Sequence, residues 1–116
     1  MIVCVIDDLI FSIKISTAAK ALGVDLYFER SAEKVVPTVR EKQPSLVIFD
    51  LNSKKLQPLD AIPALKADPE LRAIRTLGYV SHVDTATIEA ARHGGIDQVL
   101  ARSAFSERLG EILTRG

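Results

Sequence analysis

Cysteine is almost missing from the chain: Cys4 stands alone, so no internal disulfide can form, and its setting in the apolar run Ile2-Val3-Cys4-Val5-Ile6 marks it as a small buried hydrophobe. That suits a reducing cytoplasm. Excess charge is missing too, since fifteen basic and fifteen acidic residues cancel to a formal net charge of zero. No run of Lys and Arg is long enough to track a phosphate backbone, so direct contact with nucleic acid is not expected. No apolar stretch approaches the ~20 residues of a membrane span, and Met1 leads straight into the first apolar run, so neither a membrane anchor nor a secretory leader is expected. Repeats, low-complexity tracts and dividing linkers are likewise absent. The 116 residues are expected to form one domain, 1–116, of a size that buries roughly 60 to 70% of the surface of its unfolded chain.

What is present is an alternation of short β-branched runs with longer segments of helical period, the pattern of a parallel sheet covered on both faces. Strands are expected at Ile2–Ile6, Asp25–Glu29, Leu46–Asp50, Thr76–Ser81 and Gln98–Ala101. The first helix carries Phe11, Ile15, Ala18, Ala19 and Leu22 at helical spacing, with Gly23 placed to end it. A second spans Ala32 to Lys42, where Pro37 must kink it or delay its start. Pro58–Ala67 and Asp84–His93 supply the third and fourth, the latter capped by Asp84 and ended by Gly94-Gly95. In the last helix Phe105, Leu109, Ile112 and Leu113 stand at i, i+4, i+7 and i+8 and form one core-facing stripe.

Open parallel sheets bind ligands beyond the carboxyl ends of their strands. Several polar residues fall there in this chain. The stretch Val5-Ile6-Asp7-Asp8-Leu9-Ile10-Phe11 delivers two adjacent carboxylates, the third strand ends at Asp50, the fourth at Ser81 and His82, and the fifth leads into Arg102. Two neighbouring like charges at the end of a buried run call for a compensating cation or donors. Three carboxylates from neighbouring strands suit a hard divalent cation such as Mg²⁺. Taken singly, Asp8 or Asp50 is equally well explained as the cap of the helix that follows.

Over essentially its whole length the chain resembles the receiver domains of two-component response regulators. The resemblance rests on IDD after the first strand, PSLVIFDLN around the third, a fourth strand ending in a small hydroxyl residue, and GIDQVLAR where the family usually reads like GADDYLVKP. It implies a flavodoxin-like α/β three-layer sandwich, with a five-stranded parallel sheet in the order 2-1-3-4-5 and five helices. By the same resemblance, Asp50 is the phosphoacceptor and Asp7 and Asp8 are the acidic pair that holds Mg²⁺. Asn52 supplies a backbone carbonyl to the metal, and Ser81 is the hydroxyl that hydrogen-bonds the phosphoryl group. Arg102 stands where the family has a lysine that contacts that group. A histidine kinase or phosphotransfer protein would donate the phosphoryl group, and a downstream protein would read the face of helix four, strand five and helix five. Such a chain modifies itself and is not expected to be a turnover enzyme.

Departures from the family pattern gather on the signalling machinery. Arg102 keeps the lysine's charge but not its compact shape. Ser103 replaces a proline that commonly takes a cis peptide, so the Arg102–Ser103 bond is expected to be trans and the loop after it rerouted. Val99 replaces the aromatic whose rotation signals in many relatives, Lys54 replaces the usual proline after the phosphoacceptor, and Pro58 sits near the usual glycine. The second reading is therefore a pseudo-receiver, a constitutive protein-interaction module that keeps the acidic pocket without a switch. His82 adjoins the site, His93 suits the last turn of helix four, and Ile10 is expected to leave an apolar rim at the pocket mouth.

Overall fold

The computed structural model describes residues 1–81 and 84–116. Five parallel strands form one sheet in the order β2-β1-β3-β4-β5. They are β1 (Ile2–Val5), β2 (Leu26–Phe28), β3 (Leu46–Asp50), β4 (Arg75–Val80) and β5 (Gln98–Ala101). The register aligns Val5 of β1 with Phe49 of β3, and Asp50 of β3 with Tyr79 of β4, so the strands deliver their carboxyl ends to one edge.

The central strands are buried at every position, and apolar at all but the terminal Asp50, because both faces are covered. Val3, Val5, Val47 and Phe49 pack on one side with Val35 and Val39 of α2 (Val35–Lys42), Ile62 and Leu65 of α3 (Pro58–Ala67) and Ala91 of α4 (Thr85–His93). Ile2, Cys4, Leu46 and Ile48 point to the other side. There they meet Phe11, Ile15 and Ala19 of α1 (Leu9–Leu22), Phe105 of α5 (Arg102–Glu107), and Leu109 and Leu113 of α6 (Leu109–Arg115). The period of two along β1 and β3 thus sorts side chains between two cores. Burial pushes the Cys4 thiol up to about 12, as expected of an inert packing residue.

The helix punctuation follows the sequence signals. Gly23 ends α1 in the left-handed conformation (φ 70°), and the Asp84 carboxylate accepts from the Thr87 amide at 3.1 Å to start α4. Pro37 delays helix two: residues Ala32–Lys34 form a 3₁₀ turn, and α2 begins only at Val35. The last helix departs from expectation by dividing at Arg108 (φ −99°, ψ 10°) into α5 and α6, giving six α-helices among the described residues. Gly110, two residues on, weakens helical propensity at this break, yet the stripe from Phe105 to Leu113 stays on one core. No described residue has a cis peptide, and β5 runs directly into α5 without the rerouted loop expected after Arg102.

At the amino edge, Asp97 fastens β4 to the start of β5. Its Oδ2 accepts from the Thr76 amide at 2.8 Å, the Thr76 hydroxyl at 2.9 Å and Lys66 Nζ at 2.9 Å. Lys66 completes the clasp by donating to the Ile74 carbonyl at 3.0 Å. Ser45 gathers both chain ends at this same edge, its amide donating to the Met1 carbonyl at 3.0 Å and its hydroxyl meeting the Gly116 carbonyl. In mid-sheet, a Cβ on Gly78 would lie 2.7 Å from Leu51 Cγ, so only glycine lets the residue after Asp50 fold down over β4. No helix of the described residues is long and apolar enough to cross a membrane.

Candidate functional site

The carboxyl edge gathers Asp7, Asp8, Asp50, Ser81 and Arg102 from four strand ends. Asp8 is the N-cap of α1: Oδ1 accepts from the Phe11 amide at 3.0 Å. Its Oδ2 accepts from Arg102 Nη2 at 3.1 Å. The Phe11 amide bond, reinforced by the Arg102 charge, holds the Asp8 carboxyl below the usual range. Capping and pocket chemistry therefore coexist on one side chain.

Asp50 is in the opposite condition. It is the last residue of β3 and only 9% exposed. Oδ1 accepts from the Asn52 amide at 3.0 Å, and among the described residues no hydrogen bond reaches Oδ2. Burial, together with the negative charges of Asp7 and Asp8, raises its pKa against the opposing pull of the Asn52 amide and Arg102. Below it, Tyr79 is fully buried, and its hydroxyl finds no partner among the described residues. Burial and the Asp50 charge push that phenol far up, so it stays neutral.

Asn52 links two strand ends, its side-chain Oδ1 accepting from the Ser81 amide at 2.6 Å. Ser81 is exposed at the end of β4, and His82 lies outside the described residues. Arg102 opens α5 and lies over the Phe11 ring, its guanidinium carbon 4.2 Å from the centroid. Phe11 in turn packs 5.0 Å from Tyr79 and 5.8 Å from Phe105, so the arginine rests on a fixed aromatic floor. Sequence reasoning placed Phe11 near the core but gave no sign that it supports Arg102. The expected Ile10 rim is present and larger than foreseen: Ile10 is 82% exposed, and Leu9 and Ile13 each 66%.

Carboxylates and a backbone carbonyl are the right donor types for a hard divalent cation, so the residues present fit one in kind. Among the described residues no three acidic, histidine or cysteine side chains are gathered at one point, and Arg102 is the counter-ion of Asp8, so a cation here would be held by one or two carboxylates with backbone oxygen and water, as Mg²⁺ usually is.

No family model matches the chain, and no curated protein matches it in sequence. Solved structures do match in fold. The phosphorylated cyanobacterial phytochrome response regulator RcpA superposes with a TM-score of 0.82 at 19% identity, covering 98% of this chain and 88% of that one. The Mn²⁺-bound response regulator Rcp1 gives 0.80 at 18% identity, covering 96% and 89%. The receiver domain of a sensor histidine kinase from Pseudomonas aeruginosa PAO1, with magnesium in its active-site cleft, gives 0.84 at 18% identity, covering 98% and 93%. The chain has the receiver-domain fold.

Proposed function

We propose that this chain is a phosphoacceptor receiver of two-component signalling in the cytoplasm, with Asp50 as the residue modified. The observation that carries the proposal is the buried Asp50 carboxylate, held by one oxygen to the Asn52 amide and set among Asp7, Asp8 and Arg102. That arrangement supports nucleophilic attack by Oδ2 on the phosphorus of a phosphohistidine, forming an acyl phosphate as the P–N bond breaks and the imidazole leaves. Asp7, Asp8, Asp50 and the Asn52 carbonyl are the groups that would hold Mg²⁺, which neutralises charge on the transferring oxygens when bound. Arg102 supplies a further positive charge, and the Ser81 hydroxyl a donor for a phosphoryl oxygen. Because the group ends on Asp50 itself, the chain acts as a signalling module and does not turn over a metabolite.

The donor would be a histidine kinase or phosphotransfer protein, docking a helix on the apolar rim of Leu9, Ile10 and Ile13 beside the acids. The modified state would be read by another protein on the α4, β5 and α5 face. Two observations favour the second reading, a constitutive interaction module: Arg102 pairs with Asp8, and Val99 cannot serve as a rotating aromatic. Incubation with acetyl phosphate and Mg²⁺ should add one phosphate's mass to the wild type and none to Asp50→Asn. An unmodified wild type, or equal modification of the variant, would exclude the phosphoacceptor reading and leave the constitutive module.

A further inference from the structure

We propose that the cleft between α4, β5 and α5 is a binding site for a small organic anion with an apolar body, such as a medium-chain carboxylate. Its volume of about 690 Å³ falls within the range of small-molecule sites. The walls include the apolar side chains of Val80, Ile88 and Val99. The cations Lys14, Arg92 and Arg102 also line it, and none of its described lining residues is acidic. With Arg102 paired to Asp8, Lys14 and Arg92 leave a local positive excess beside this apolar cavity, which selects for negative ligands.

Two of those cations have nothing else to hold. Among the described residues the side chains of Lys14 and Arg92 make no hydrogen bond or ion pair, whereas Arg102 is already joined to Asp8. A carboxylate would give Arg92 the planar, two-oxygen acceptor that a guanidinium fork matches. The apolar body would cover Ile88 and Val99, which are only half-buried in the unliganded chain. Inorganic phosphate would leave that apolar wall wet, and a cationic amphiphile would meet only like charge. The short side chains of Val99 and Ser103 keep the cleft open, and a large aromatic at position 99 would fill it.

The test is titration of the full chain with sodium decanoate below its micellar concentration, followed by amide chemical shifts. Saturable shifts should centre on Ile88–Arg92 and Val99–Ser103, with a Kd on the order of 0.1 mM. Decyltrimethylammonium should bind at least about tenfold more weakly. The double variant Lys14→Glu, Arg92→Glu changes only exposed side chains and should weaken decanoate by about tenfold or more. Val99→Trp should abolish binding if its melting temperature stays near that of the wild type. Equal affinity for the cationic amphiphile, an unchanged affinity in the double charge reversal, or shifts centred away from this cleft would each overturn the proposal.

Discussion

Asp97 and Asp50 occupy opposite edges of one sheet, and their carboxylates meet opposite conditions. Burial works against the charged form of Asp97, but Lys66 and the amide and hydroxyl of Thr76 outweigh it, leaving the pKa below its usual value. At Asp50 burial prevails, because one amide and a cation turned toward Asp8 do not offset the neighbouring negative charges. The residue type is the same, and the count and charge of its partners decide the outcome. A carboxylate with three donors holds strands together. One left short of donors carries a net cost to the fold.

The largest expected effect comes from breaking the satisfied edge. Asp97→Ala removes one acceptor from three donors, two of them in the Thr76 backbone and hydroxyl, and should cost about 2 kcal/mol even with half of the Asp97 side chain facing water. Thermal unfolding should show a drop of roughly 10 °C. An unchanged melting temperature would mean that the clasp contributes nothing. Asp50→Asn, at the unsatisfied edge, should instead stabilise by about 1 kcal/mol, since it removes a buried charge among like charges.

Acid sharpens the contrast. Asp97 has a lowered folded pKa, so its contribution is complete above the unfolded value of ~3.8 and fades as pH falls through the folded value. Asp50 has a raised folded pKa, so its penalty is complete above the folded value and disappears as pH falls toward ~3.8. In urea titrations at falling pH, the loss in Asp97→Ala should shrink only below about pH 4, whereas the gain in Asp50→Asn should shrink at higher pH. Parallel pH curves for wild type and both variants would remove the electrostatic distinction between the edges.

The smallest expected effect concerns Arg102. If its guanidinium is the standing counter-ion of Asp8, Arg102→Ala should raise Mg²⁺ affinity by about threefold, or roughly 0.7 kcal/mol, because the metal no longer competes with it. Calorimetric titration would read this directly. Weaker Mg²⁺ binding in the variant would show that Arg102 supports the acids as metal ligands and does not occupy their place.

Much of this architecture is legible in the linear chain because it depends on local pattern. The continuous apolar runs of β1 and β3 can form only where both sheet faces are covered, Gly23 and Asp84 mark helix ends by their own stereochemistry, and Pro37 sets back the start of α2. The acids could be placed at one edge because parallel strands share a direction. What could not be read is the company each acid keeps. Arg102 and Asp8 are separated by 94 positions, and their pairing depends on the Phe11 ring as a platform. The Asp97 clasp likewise joins Lys66 of α3, Thr76 of β4 and the residue before β5, with no local signature. The division of the last helix leaves no mark in the apolar pattern because the stripe continues unbroken across Arg108.

The meeting of both chain ends at Ser45 gives the molecule a polarity useful at the bench. Met1 and Gly116 leave from the edge opposite Asp50, so a surface or a fluorescent protein tethered through either end stands behind the sheet and presents the acids outward. Their proximity also makes the backbone nearly a ring. A short Gly/Ser bridge between the ends, with a new opening cut in an exposed turn, would preserve every strand pairing while reversing which parts of the chain emerge first.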